Sequence, residues 1–220
     1  MTERPGPAAR PLFLRRPALA QLAVLVVLAG GVGLLHLSFA SPPGSTRFYG
    51  LSLALAAVWL IGGLLVPVDL WPVPRRSRAR TFVAPVMAGL LLAVIFVIGA
   101  ILVDRLPVLG DGLSGVFGYA ARGLLPLVLL ITVINAVAEE LFFRGALWRL
   151  TRPGHRYAVT TLLYVLATIA TGHPLLVFAA AVLGLVTGRL RQVTGGVLAP
   201  ILAHSTWSVI MLLAVPPLTT

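Results

Sequence analysis

The sequence predicts an all-α fold, a polytopic membrane helix bundle of about seven transmembrane segments, and three observations predict it. Of 220 residues, 59% are hydrophobic and 10% charged, with a mean hydropathy of +1.01, which excludes an ordinary soluble domain. The uncharged runs are long enough to cross a hydrocarbon core, which takes about 20 apolar residues as helix. The charges between those runs gather in alternate loops, as membrane orientation requires.

Taken in order, Ala18 to Leu37, Phe48 to Val68 and Thr81 to Val103 each qualify as a span. Arg15, Arg16, the first apolar run and Ser38-Phe39-Ala40 also resemble a secretory signal. That run exceeds the usual signal core of roughly 7 to 15 residues, so an uncleaved anchor is the better reading. A fourth span enters near Val116, carries Arg122 near its start and continues through Ala138 to Leu150. Tyr157 to Gly188 would make one helix of about 48 Å, too long for a single crossing. Gly172-His173-Pro174 is its natural break, because a proline disfavours helix at the residue before it. The halves, Tyr157 to Thr171 and Leu175 to Gly188, are short for full spans and imply tilt, thinning or a partly re-entrant pair. Gly196 to Val215 is the last span. The chain thus divides into a basic cytoplasmic amino terminus (1–17), amino-terminal helices (18–115), a carboxy-terminal membrane core (116–215) and a tail (216–220).

The net charge of +11 comes from basic residues that are all arginine. Arg4, Arg10, Arg15 and Arg16 precede the first span; Arg75, Arg76, Arg78 and Arg80 follow the second; Arg149, Arg152 and Arg156 follow the fourth; Arg189 and Arg191 follow the sixth. The other loops hold Arg47, or Arg105 balanced by Asp104 and Asp111. The pattern is that of a multi-pass cell (plasma) membrane protein with a cytoplasmic amino terminus, partnered by the lipid bilayer and not by nucleic acid. Absence of cysteine excludes disulfides, a thiol nucleophile and cysteine-based metal sites. Trp148, Trp59 and Trp71 fall near predicted helix ends and read as interfacial anchors.

Only the fourth span carries acids. Glu139 and Glu140 interrupt a run uncharged from Gly123 to Ala138, and charge at that depth implies a partner or a task. On a helix Glu140 faces Arg144 one turn later, while Glu139 projects about 100° away. One carboxylate is paired and the other free. Counted from the bordering arginines at 1.5 Å per residue, Glu139, His173 and His204 lie about 15, 25 and 20 Å deep, near enough for one site if the helices pack together. His204 and Ser208 share a helix face. His36 and His155 stand apart from this group.

These residues resemble the motifs of the CPBP family, which includes the type II CAAX prenyl proteases and bacteriocin-processing or immunity-type membrane proteins. Glu139-Glu140 with Arg144 matches its EExxxR; Ile169 with His173 takes the place of FxxxH; His204 with Ser208 takes the place of a histidine followed four residues later by Asn or Asp. Order and spacing fit from about Leu124 to Leu213. Ile169 replaces an aromatic, a mild change. Ser208 replaces an amide or acid, and losing an oxyanion donor can cost about 100 to 1,000-fold in rate.

The resemblance implies an intramembrane endopeptidase acting on membrane-associated proteins or peptides. A water would be activated by Glu139 with His173 in a cavity opening from the cytoplasmic side, Glu140 and Arg144 would fix the geometry, and His204 and Ser208 would polarise the carbonyl. Two histidines and a glutamate also form a catalytic zinc set, so zinc is the cofactor this donor set would suit. The HExxH signature is absent, and a Glu–His pair can activate water unaided. Two other classes remain: a non-catalytic relative acting as scaffold or immunity protein, favoured by Ser208, and an ion-coupled transporter, which the lack of an internal repeat disfavours.

Overall fold

The computed structural model describes residues 17–72 and 77–218. Arg4, Arg10, Arg15, Arg16, Arg75 and Arg76 lie outside the described residues. The described chain is helical, in the order α1 (Pro17–Phe39), α2 (Thr46–Leu64), α3 (Ala84–Asp104, entered through a π-helical turn Ala79–Val83), α4 (Pro107–Ala121), α5 (Leu125–Glu140), a π-helical turn Leu141–Leu147 leading to α6 (Trp148–Leu150), α7 (Arg156–Ile169), α8 (Pro174–Thr194) and α9 (Leu198–Ala214).

Six helical stretches are long and apolar enough to cross a membrane: Ala18–Phe39, Thr46–Leu64, Ala79–Asp104, Leu125–Leu150, Pro174–Thr194 and Leu198–Leu218. With α7, about 21 Å long, they make the bundle of roughly seven segments. Two details differ from expectation. The fourth span begins at Leu125 and not near Val116, because α4 ends at Ala121 and Pro126 starts a new helix beyond Gly123. The sixth span is full length, because α8 continues past Gly188 to Thr194 and carries Arg191 inside it. The break between α7 and α8 falls where Gly172 (φ 73°) and Pro174 place it.

Large aliphatic side chains such as Leu25, Val26, Leu91, Ile98 and Leu130 point outward, where lipid replaces water. The core lies between α2, α5, the π turn and α7. Trp59 packs against Phe142 (ring centroids 4.9 Å apart) and Phe143 (5.2 Å), and Phe143 meets Tyr164 at 5.1 Å. Trp59 is therefore a core residue and not an interfacial anchor, and Trp148 is buried below Arg191. Trp71 alone of the three is exposed, at 58%. At the other end Ala100, Leu113, Met211 and Val215 join α3, α4 and α9.

An extended segment after α2 ties the bundle together. The carbonyls of Asp69 and Leu70 accept from the N–H groups of Val197 and Leu198 (both 2.9 Å), satisfying the start of α9.

Candidate active site

Glu139 and Glu140 end α5, and the turn after them widens to a π helix that carries Phe142, Phe143 and Arg144 inward. Such widened turns recur at functional sites. Glu140 and Arg144 are both fully buried, with Arg144 Nε 3.4 Å from Glu140 Oε2. The other carboxylate oxygen, Oε1, lies 3.0 Å from His204 Nδ1. Burying a charge without partners costs several kcal/mol, and Glu140 meets that cost with a cation on one side and an imidazole on the other.

Arg144 is held from four directions. Its NH2 donates to the Gly184 carbonyl (3.2 Å), its guanidinium lies 4.7 Å from the centroid of the Tyr164 ring, and its own carbonyl accepts from Arg191 Nε (2.8 Å). The fourth is Glu140 itself. A methyl group on Gly184 would come within 3.3 Å of Arg144 NH2 and 3.2 Å of Thr161 Cγ2, so glycine lets α8 approach α7 closely enough to reach Arg144.

Glu139 faces the other way, into a cavity of about 600 Å3 that is mainly apolar. The polar groups on its wall include Asn135, Glu139, Tyr164, Thr168, His204 and Ser208. Tyr164 stands with Glu139 on the same cavity wall. His204 turns Nδ1 to Glu140 and keeps Nε2 as its remaining polar atom beside the cavity. Five of the six residues expected at a site are thus brought together: Glu139, Glu140, Arg144, His204 and Ser208.

His173 is not brought to them. It precedes the first residue of α8, with its ring 5.5 Å from that of Phe39 and its N–H donating to Thr171 Oγ1. Among the described residues, no contact joins it to Glu139, Glu140 or His204. The zinc set of two histidines and a glutamate fails the same test: His173 is elsewhere, His204 Nδ1 is engaged by Glu140, and no three His, Asp or Glu side chains among the described residues are gathered to hold a metal ion. The cavity runs from Glu139 toward Phe39, Phe48, Tyr119 and Thr171, at the ends of α1, α2, α4 and α7. That is the face opposite Arg149, Arg156 and Arg191. A cavity reached from the basic-loop face is therefore not what the fold provides.

Tyr164, Thr168 and Asn135 escaped the sequence reading, yet signals for them exist. Tyr164 and Thr168 are four apart, an aromatic-x-x-x spacing one turn along α7, and both line the cavity. Asn135 stands one turn before Glu139 on α5, with its Nδ2 donating to the Ser52 and Ile131 carbonyls.

Comparison with known proteins follows the same segment. Residues 121–210, less than half of the chain, match the family model of the type II CAAX prenyl endopeptidase, Rce1-like. No curated protein and no solved structure matches the chain. The matched segment runs from the end of α4 into α9 and contains the Glu pair, Arg144, His204 and Ser208. Over these residues the chain is similar to CAAX-type intramembrane proteases of the CPBP kind.

Proposed function

We propose that this CPBP-type chain hydrolyses peptide bonds of membrane-associated proteins or peptides with Glu139 as the base that activates water. One observation carries the reading: of two adjacent carboxylates, Glu140 is locked in an ion pair while Glu139 opens onto a cavity large enough for a peptide segment. A substrate carbonyl oxygen directed at His204 Nε2 and the Ser208 hydroxyl would be polarised there. Glu139 takes a proton from water as the water oxygen bonds to the carbonyl carbon, then delivers that proton to the amine as the C–N bond breaks. Tyr164 lines the cavity with Glu139, and Glu140 holds the His204 ring and supports positive charge on it.

The imidazole in this scheme belongs to His204, since His173 lies apart. A cell-membrane location with a cytoplasmic amino terminus is supported by the alternating arginines. A second reading has its own support. Thr168 stands one turn from Tyr164 at the cavity wall and Ser208 lacks an amide, so a non-catalytic relative that binds membrane peptides is the alternative.

The test is a comparison of protein termini in membranes of cells carrying the wild type, Glu139→Gln or His173→Ala at matched abundance. New termini should appear with the wild type, vanish with Glu139→Gln and persist within about twofold with His173→Ala. Termini that are identical in all three, with a deletion phenotype rescued by Glu139→Gln, would establish the non-catalytic reading.

A further inference from the structure

A second cavity lies at the opposite end of the bundle, where α6 ends, α7 begins and α8 ends. Its volume is about 340 Å3 and its wall includes Trp148, Arg156, Tyr157, Arg191, Gln192 and Asp69. Nothing in the proposed hydrolysis uses it.

The charges there do not balance. Asp69 Oδ2 is 3.5 Å from Arg149 NH1 and 3.6 Å from Arg191 NH2, so one carboxylate serves two guanidiniums. Arg156, on the wall with Arg191, is a third cation at this end, its Nε donating to the Thr151 carbonyl at 3.1 Å. Its terminal amino groups make no hydrogen bond among the described residues. Arg191 is only 6% exposed and fixed by the carbonyls of Arg144 and Gly195, so its charge is presented without freedom to move away. Gln192 Oε1 accepts from Arg189 (2.8 Å), which leaves its amide N–H groups as donors. The first turn of α7 adds its own partial positive charge to the same place.

Position identifies the counter-ion. The cavity sits at the end of the bundle that holds Arg149, Arg152, Arg156, Arg189 and Arg191, where helices leave the apolar layer. Basic pockets between helices at that level suit phosphate-bearing head groups. Planar guanidinium forks and an amide donor match the oxygens of a phosphodiester. We infer that this cavity binds the phosphate of an anionic phospholipid from the adjoining leaflet, with Arg156, Arg191 and Gln192 as its donors. Asp69 repels the phosphate from its side of the cavity and so directs it toward Arg156 and Gln192.

The full chain, purified and stripped of lipid, would be titrated with phosphatidylglycerol or phosphatidylcholine and the bound lipid counted by native mass spectrometry. Phosphatidylglycerol should bind in preference. Arg156→Gln should weaken it about fivefold, as expected for one arginine at a membrane surface. Arg156→Lys should retain most of the binding. Gln192→Glu, which leaves the Arg156–Thr151 bond intact, should weaken it at least as much as Arg156→Gln, and Arg47→Gln on the opposite face should change nothing. Equal binding of the two lipids, or phosphatidylglycerol binding indifferent to both Arg156→Gln and Gln192→Glu, would overturn the inference. If inorganic phosphate binds with the same dependence on Arg156 and phosphatidylglycerol does not, the lipid assignment falls and the site belongs to a soluble anion.

Discussion

Glu139 and Glu140 are adjacent in the chain and opposite in circumstance. Glu140 is enclosed between Arg144 and His204, whereas Glu139 meets an open cavity whose wall it shares with Tyr164. The helical period alone separates them, and that much was legible from spacing. The partner of Glu140 was legible in part: Arg144 follows from the four-residue interval, but His204 is a contact between helices far apart in sequence. Removing one member of a buried pair leaves the other uncompensated. Arg144→Met should therefore destabilise the protein by about 3–5 kcal/mol, while Arg144→Met with Glu140→Leu should recover most of that loss. Thermal unfolding in detergent checks both, and a double variant no better than the single would show that Arg144 acts through Gly184 and Tyr164 instead.

The helices place these residues through close contact more than through propensity. On α8, Ala180, Gly184 and Gly188 recur every four residues and let α7 approach, with Gly188 against Tyr157 and Gly184 against Thr161 and Arg144. Small residues at this interval are how membrane helices gain packing where lipid is as apolar as leucine. Gly184→Leu should cost about 1–3 kcal/mol through overpacking and should abolish any activity that needs Arg144 in place. Gly33→Leu, at a position where an added carbon meets nothing within 4 Å, should leave the unfolding temperature nearly unchanged. The register of α7 was the element least legible in the sequence. Gly172 and Pro174 mark where the helix ends, but an uncharged run carries no mark of which face turns inward, so the sequence leaves His173 within reach of Glu139 at a depth about 10 Å different.

For the whole molecule, the two cavities open toward opposite ends of the bundle, one apolar with Glu139 and one polar with Arg156 and Arg191. If the arginine-rich end faces the cytoplasm, the Glu139 cavity faces the other side of the membrane. The absence of native cysteine makes this directly measurable. Ser114→Cys, exposed on α4 near the Glu139 cavity, should react with a membrane-impermeant maleimide in intact cells. Gln192→Cys should react only after the membrane is opened. The reverse pattern would place the amino terminus outside and invert both assignments.

The sequence by itself determined the class of molecule, the approximate spans, the alternation of charged loops and the acid pair, because each follows from local composition or from the helical period. It also carried the family likeness, through motifs whose spacing is local. Tertiary structure alone decided which histidine meets Glu140, that Trp59 is core, that Tyr164 shares the cavity wall with Glu139, and that Arg156 and Arg191 share one cavity with Asp69, which Arg149 also pairs. Those facts depend on the rotation and depth of one helix against another. In an apolar medium nearly every face of a span is hydrophobic, so the sequence carries little record of which face turns inward, and packing among small residues and buried charges sets it.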